Sequence, residues 1–207
     1  MNQGSNKKEK GFTLIELLIA ISIFATFMIV VTMSLSSVLK SERKAEVLRS
    51  TQESTRYIVE MIAREARVAN GEMDDGGVRI GHAYLLSSDG KELSIVNTVL
   101  NSSNIADSIV KKNTYSLSND GELVLKSYSK KIGESAFANE ETKILSDKNE
   151  MIIKTLSFDL NPSPTDLSVP PELNLKVEAV STKGEQSGQS EDTAKTTLET
   201  SISPRNY

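Results

Sequence analysis

From Leu17 to Leu39 the chain runs 23 residues without a charge. At about 1.5 Å per helical residue, such a run is roughly 35 Å long as a helix, enough to cross the hydrocarbon core of a bilayer with some tilt. Immediately before it stands Glu16, and before that a short polar leader with Lys7, Lys8 and Lys10. A carboxylate at the edge of an apolar segment is costly when unpaired, so Glu16 asks for a positive partner.

Three readings of the run are open: a retained membrane helix, a cleaved secretory signal, or a buried core helix. The leader is basic, but the apolar stretch exceeds an ordinary signal h-region, and Lys44-Ala45-Glu46 is a poor cleavage site. These features favour the retained helix. Its orientation is not set by charge, because Lys40, Arg43, Lys44 and Arg49 flank the far end as Lys7, Lys8 and Lys10 flank the near one. The later cluster suits either snorkelling toward headgroups or a solvated helix face.

No Pro or Gly occurs between Phe12 and Asn70, so a single helix is predicted over the whole distance. In its second half Val47, Leu48, Thr51, Ser54, Ile58, Met61, Ile62, Ala66 and Ala69 recur at three- and four-residue spacing. Arg49, Glu53, Arg56, Glu60, Arg64 and Arg67 fill the remaining positions. That half is expected to lay one stripe on a domain, anchored by Ile58, Met61 and Ile62, and to end in a left-handed cap at Asn70-Gly71.

Beyond Gly71 the period falls toward two. Strands are predicted at Tyr84–Ser88 and Leu93–Val96 around Asp89-Gly90, and at Thr114–Ser118 and Glu122–Tyr128 around Asn119-Asp120-Gly121. Met151–Phe158 is a further strand, followed by a loop at Asn161-Pro162-Ser163-Pro164. Leu173, Leu175, Val177 and Ala179 alternate cleanly with polar residues. Their partner is expected at Thr196–Ser203, across a polar loop from Gly184 to Asp192 and stopped by Pro204. The fold class is therefore α+β: a long N-terminal helix, membrane-spanning in its first half, packed by its second half on an antiparallel β-sheet head. The divisions are 1–11 as a leader, 12–39 as the apolar helix, 40–70 as its amphipathic continuation and 71–207 as the head.

Composition excludes several functions. The absence of cysteine removes disulfides, thiolate metal sites and cysteine nucleophiles. The formal charge of −4 hides a head at −7 against +2 in residues 1–11, so the head lacks the dense positive field that drives non-specific nucleic-acid binding, and no direct nucleic-acid partner is expected. His82 is the only histidine, and no Gly-x-Ser-x-Gly elbow is present. The acids at Asp74-Asp75 and Asp147–Glu150 match no defined calcium spacing. No catalytic residue, metal or cofactor is assigned.

Lys10-Gly11-Phe12-Thr13-Leu14-Ile15-Glu16-Leu17-Leu18 resembles the processing and methylation motif of type IV pilins and type II secretion pseudopilins. The resemblance implies a pilin-like fold and cleavage after Gly11 by an inner-membrane prepilin peptidase, which also methylates the exposed Phe12 amine. It implies that residues 1–11 are cytoplasmic and the head extracytoplasmic, on a single-pass inner-membrane anchor. It further implies that Glu16 pairs with the N-terminal amine of an adjacent subunit during filament assembly, with the other pilin or pseudopilin subunits and an inner-membrane assembly platform as partners. Physically, Gly11 offers an unobstructed backbone to a protease, and cleavage creates a positive amine one helical turn from Glu16. A plainer role for Glu16 stands beside this one, namely to complement the positive end of its own helix.

Many major pilins carry a proline or glycine in the membrane half of the helix and a C-terminal cysteine pair, and this chain has neither. With the long head, these departures favour a minor pilin or a J-type minor pseudopilin near the filament tip. An adhesin or exoprotein-binding tip subunit, and a minor pilin of a DNA-uptake apparatus, are the alternatives.

Overall fold

The computed structural model describes residues 11–161, 171–182 and 194–203, apart from the side chains of Ala106, Asn139 and Glu140. The lysines of the leader, the Pro162 and Pro164 loop, the Gly184–Asp192 loop and the Pro204 stop lie outside the described residues.

One helix, α1, spans Leu14–Val68, as the absence of Pro and Gly predicts. The chain divides into two compact units, Met1–Arg43 and Lys44–Tyr207. In the first, every described residue is exposed, and the helix contains a window with the length and apolarity needed to cross a membrane.

In the second unit α1 buries Thr51, Thr55, Ile58, Ile62, Ala63 and Ala66. Ile58 and Ile62 are anchors as expected, whereas Met61 is only half-buried and Thr55 and Ala63 take the inward positions. Two threonines tolerate burial because their hydroxyls are satisfied by the helix itself. Thr51 Oγ1 donates to Val47 O at 2.8 Å, and Thr55 Oγ1 to Thr51 O at 2.7 Å.

Five antiparallel strands follow in a meander: β1 Tyr84–Leu86, β2 Leu93–Val99, β3 Ile109–Leu117, β4 Leu123–Lys131 and β5 Ala138–Ile144. A three-stranded antiparallel sheet holds β6 Met151–Asn161, β7 Glu172–Ser181 and β8 Lys195–Ile202 in that order. β5 was not anticipated from the sequence. Its residues alternate poorly, and it is an edge strand pairing only with β4 across an irregularity at Ser127/Ser129, where charged side chains suit an exposed edge.

The hairpin glycines also join the sheets. Gly90 and Gly121 have φ of 68° and 77°, as the turn signals require. Gly90 O accepts the Phe158 N–H at 2.8 Å, and Gly121 O accepts the Ile153 N–H at 2.9 Å, so both turns dock on the free edge of β6. The resulting core is one cluster. It combines Ile58, Ile62 and Ala66 of α1 with Tyr84, Leu93, Tyr115 and Leu123 of the first sheet and Phe158, Leu173, Leu175, Val177 and Ile202 of the second.

The end of α1 departs from the expected cap. Gly71 is left-handed, with φ of 79°, yet its N–H bonds Val96 O at 3.1 Å on β2 rather than a helix carbonyl. The last turn is closed instead by Ala69 N–H on Ala66 O, and the buried Tyr84 hydroxyl donates to the same carbonyl at 2.6 Å. Asn70 then bridges to Thr98, donating to its carbonyl and accepting from its N–H.

Candidate processing and assembly site

Gly11, Phe12 and Thr13 precede the first helical residue. Thr13 is the N-cap. Its Oγ1 accepts the Glu16 N–H at 3.3 Å, while Glu16 Oε2 accepts the Thr13 N–H at 2.9 Å and the Thr13 hydroxyl at 2.8 Å. This is the reciprocal capping box, in which residues three apart satisfy donors that the first turn leaves without partners. The plainer role for Glu16 is thus realised through a partner, Thr13, that the sequence reading did not single out. The signal was available as Thr-x-x-Glu ahead of an apolar run.

All three bonds use the Glu16 N–H or Oε2, and among the described residues no base pairs with the carboxylate. The cap therefore supplies dipoles to Glu16 but no countercharge.

The glycine at position 11 has no local cause. A Cβ built there meets nothing within 4 Å, and its φ is not in the left-handed region. Phe12, next to it, is 90% exposed. Neither packing against the described residues nor backbone conformation asks for glycine here.

The other singled-out residues fall elsewhere. Asp74 Oδ1 accepts the N–H groups of Gly76 and Val78 at 3.0 and 2.7 Å, which commits that oxygen to its own turn. Asp147 Oδ1 does the same with the Asn149 N–H and amide group at 2.8 and 2.9 Å. His82, in the approach to β1, is half-buried, and among the described residues its Nδ1 has no hydrogen-bond partner.

Two polar clusters of the head escaped the sequence reading. Glu65 of α1 accepts from both Tyr115 Oη and Asn113 Nδ2 of β3. Burial, followed by the Glu65 charge and hydrogen bond, pushes the Tyr115 hydroxyl well above the ordinary tyrosine range. Lys130 of β4 is nearly buried, pairs with Glu72 at 2.6 Å, and lies 4.8 Å from the centre of the Phe137 ring. Neither pattern has a fixed sequence spacing, since each joins residues distant in the chain.

Compared with known families, residues 6–32 match the prokaryotic N-terminal methylation motif. The match takes in residues 6–11 of the N-terminal stretch, Phe12, the capping box and most of the exposed apolar run, and it supports the type IV pilin and pseudopilin family with prepilin-peptidase processing. No curated protein and no solved structure matches the chain.

Proposed function

We propose that this chain is a minor pilin or minor pseudopilin, cleaved between Gly11 and Phe12 and assembled near the tip of a type IV pilus or type II secretion pseudopilus. The observation that carries the reading is an unpacked Gly11-Phe12 bond close to a carboxylate, Glu16, that has a cap but, among the described residues, no cation. Residues 1–11 are the cytoplasmic leader, 12–39 the membrane and assembly helix, 40–70 its amphipathic continuation and 71–207 the extracytoplasmic head. The role is structural, with prepilin peptidase, an inner-membrane assembly platform and neighbouring subunits as partners.

The chemistry follows from charge and solvent. Cleavage converts the Phe12 amide into a cation, which the same enzyme methylates. An isolated carboxylate or ammonium at membrane depth costs about 3 kcal/mol on insertion scales. Bringing the amine of one subunit to Glu16 of the next removes both penalties together, and the attraction is stronger in the low-dielectric surroundings. Thr13 holds the Glu16 side chain over the first turn, so it is in place before a neighbour arrives.

Support for the minor role comes from the chain that remains after removal of the leader, 196 of the 207 residues, and from the absence of cysteine. The test is mass analysis of the mature N-terminus from cells with active peptidase. A chain beginning at methylated Phe12 is expected, and one still beginning at Met1 refutes the reading.

A further inference from the structure

The solvent side of α1 carries an alternation that its own helix does not use. Glu46, Arg49, Glu53, Arg56, Glu60 and Arg64 change sign at each step, are spaced three or four residues apart, and are all exposed. At 3.6 residues per turn they fall in a sector of about 80°, on the side away from Thr51, Thr55, Ile58 and Ile62. From Glu46 to Arg64 each helical turn thus presents one charge and the next turn its opposite, whereas Glu42 and Arg67, exposed in the same sector at the two ends, repeat the sign of their neighbours.

A solvated face laced with intrahelical ion pairs would show the same composition. The structure realises little of that lacing. Arg49 and Glu53 pair at 2.8 Å, in the weaker order with the base N-terminal to the acid. Glu46, Arg56, Glu60 and Arg64 make no ion pair among the described residues, although Arg56 and Glu60 repeat the spacing and order of the first pair.

We propose that this stripe is a seam for a second copy of the chain, packed parallel and displaced by one helical turn. In register, every charge meets its like, and a two-turn displacement again sets Arg49 against Arg56 and Glu53 against Glu60. One turn sets Arg49 against Glu53, Glu53 against Arg56 and Arg56 against Glu60, so the face is self-complementary at that displacement. The inference rests on the assembly reading, which fixes the parallel sense, and Phe12 to Glu16 is likewise four residues. A displaced parallel contact is heterologous, so the two copies occupy successive axial positions rather than forming a closed dimer.

Because the chain has no cysteine, introduced thiols report alone. Two differently tagged full-length copies are produced together in cells with active prepilin peptidase, one with Arg56→Cys and the other with Glu60→Cys, and treated with a short bismaleimide. This one-turn pair is expected to cross-link more than the in-register pair of two Arg56→Cys copies or the two-turn pair of Glu53→Cys with Glu60→Cys. Adding Arg49→Glu to the first copy is expected to lower the yield about fivefold, the scale of one exposed ion pair, and adding Glu53→Arg to the second to restore it. Predominance of a control pair, absence of all cross-links, or a loss that the swap leaves unrestored overturns the seam. The mass of the mature N-terminus in the same cells keeps the two ideas apart. Processing at Gly11 without the staggered cross-link refutes the seam alone, whereas retention of Met1 refutes the processing on which it rests.

Discussion

Thr13 and Glu16 share three hydrogen bonds, so a substitution at Glu16 removes a cap and a charge together. Glu16→Gln separates them, because glutamine also serves at the third helical position of a capping box. That variant is expected to be cleaved and methylated normally yet to fail in filament incorporation, and its normal incorporation would show that the charge is unnecessary. Thr13→Ala should give the converse result, loosening the first turn by about 1 kcal/mol while leaving the carboxylate and incorporation in place. Amide exchange at residues 14–18 in detergent reads the loosening directly. Gly11→Ala, whose added methyl meets nothing among the described residues, is expected to leave the fold unchanged and to accumulate uncleaved precursor, seen as an N-terminus at Met1. These three positions were legible in sequence because motif and capping box are local patterns. The Thr13 contribution is carried by Thr-x-x-Glu ahead of an apolar run, a capping-box pattern independent of the family motif.

Elements are joined in the head by groups whose roles depend on distant partners. Glu65, on α1, receives Tyr115 and Asn113 of β3, and the sign of the Tyr115 shift makes a prediction about pH. A tyrosine raised by burial holds its proton more tightly folded than unfolded. Its contribution is complete below the unfolded value, about 10, and is lost as pH rises from there toward the folded value. Denaturant titrations of the full chain in detergent should therefore show stability falling above about pH 10, and Tyr115→Phe should flatten that fall. At neutral pH the same variant is expected to cost about 1–3 kcal/mol, because Glu65 loses a donor. A second comparison uses turns. Gly121 and Gly133 have φ of 77° and 82°, but a Cβ at Gly121 lies 2.4 Å from Ile152 Cγ2, and one at Gly133 meets nothing. Alanine at 133 should cost about 1 kcal/mol of backbone strain, and alanine at 121 measurably more, with a lower denaturant midpoint. The turn at Gly121 was legible from Asn119-Asp120-Gly121, but its docking on β6 was not, since no local pattern encodes which strand edge a turn will meet. β5 was hidden for a related reason: an edge strand needs no apolar alternation, so a period-two signal was never written into it.

Across the whole molecule, burial is distributed abruptly. No described residue before Thr51 is buried, and the core cluster draws wholly on residues from Ile58 onward. The division into units at Arg43 and Lys44 follows the same change. This contrast was readable as a shift from a charge-free run to an amphipathic stripe, because helix period and hydropathy are both local; the pairing of eight strands into two sheets was readable only in part, through the hairpin turns. An exposed apolar surface as extensive as Phe12–Leu39 is not stable in water as a monomer and calls for lipid or neighbouring helices. The buried core cluster of the head, by contrast, contains no residue of that surface. A fragment beginning at Lys44 is therefore expected to be soluble without detergent, to unfold in one cooperative denaturant transition, and to keep the alkaline behaviour assigned to Tyr115. The full chain should require detergent and show the same midpoint for the head. Equal solubility of the two proteins would contradict the apolar-surface argument. A fragment with native secondary structure but no cooperative transition would show that the head draws on the first unit for its packing, through contacts absent from the buried cluster.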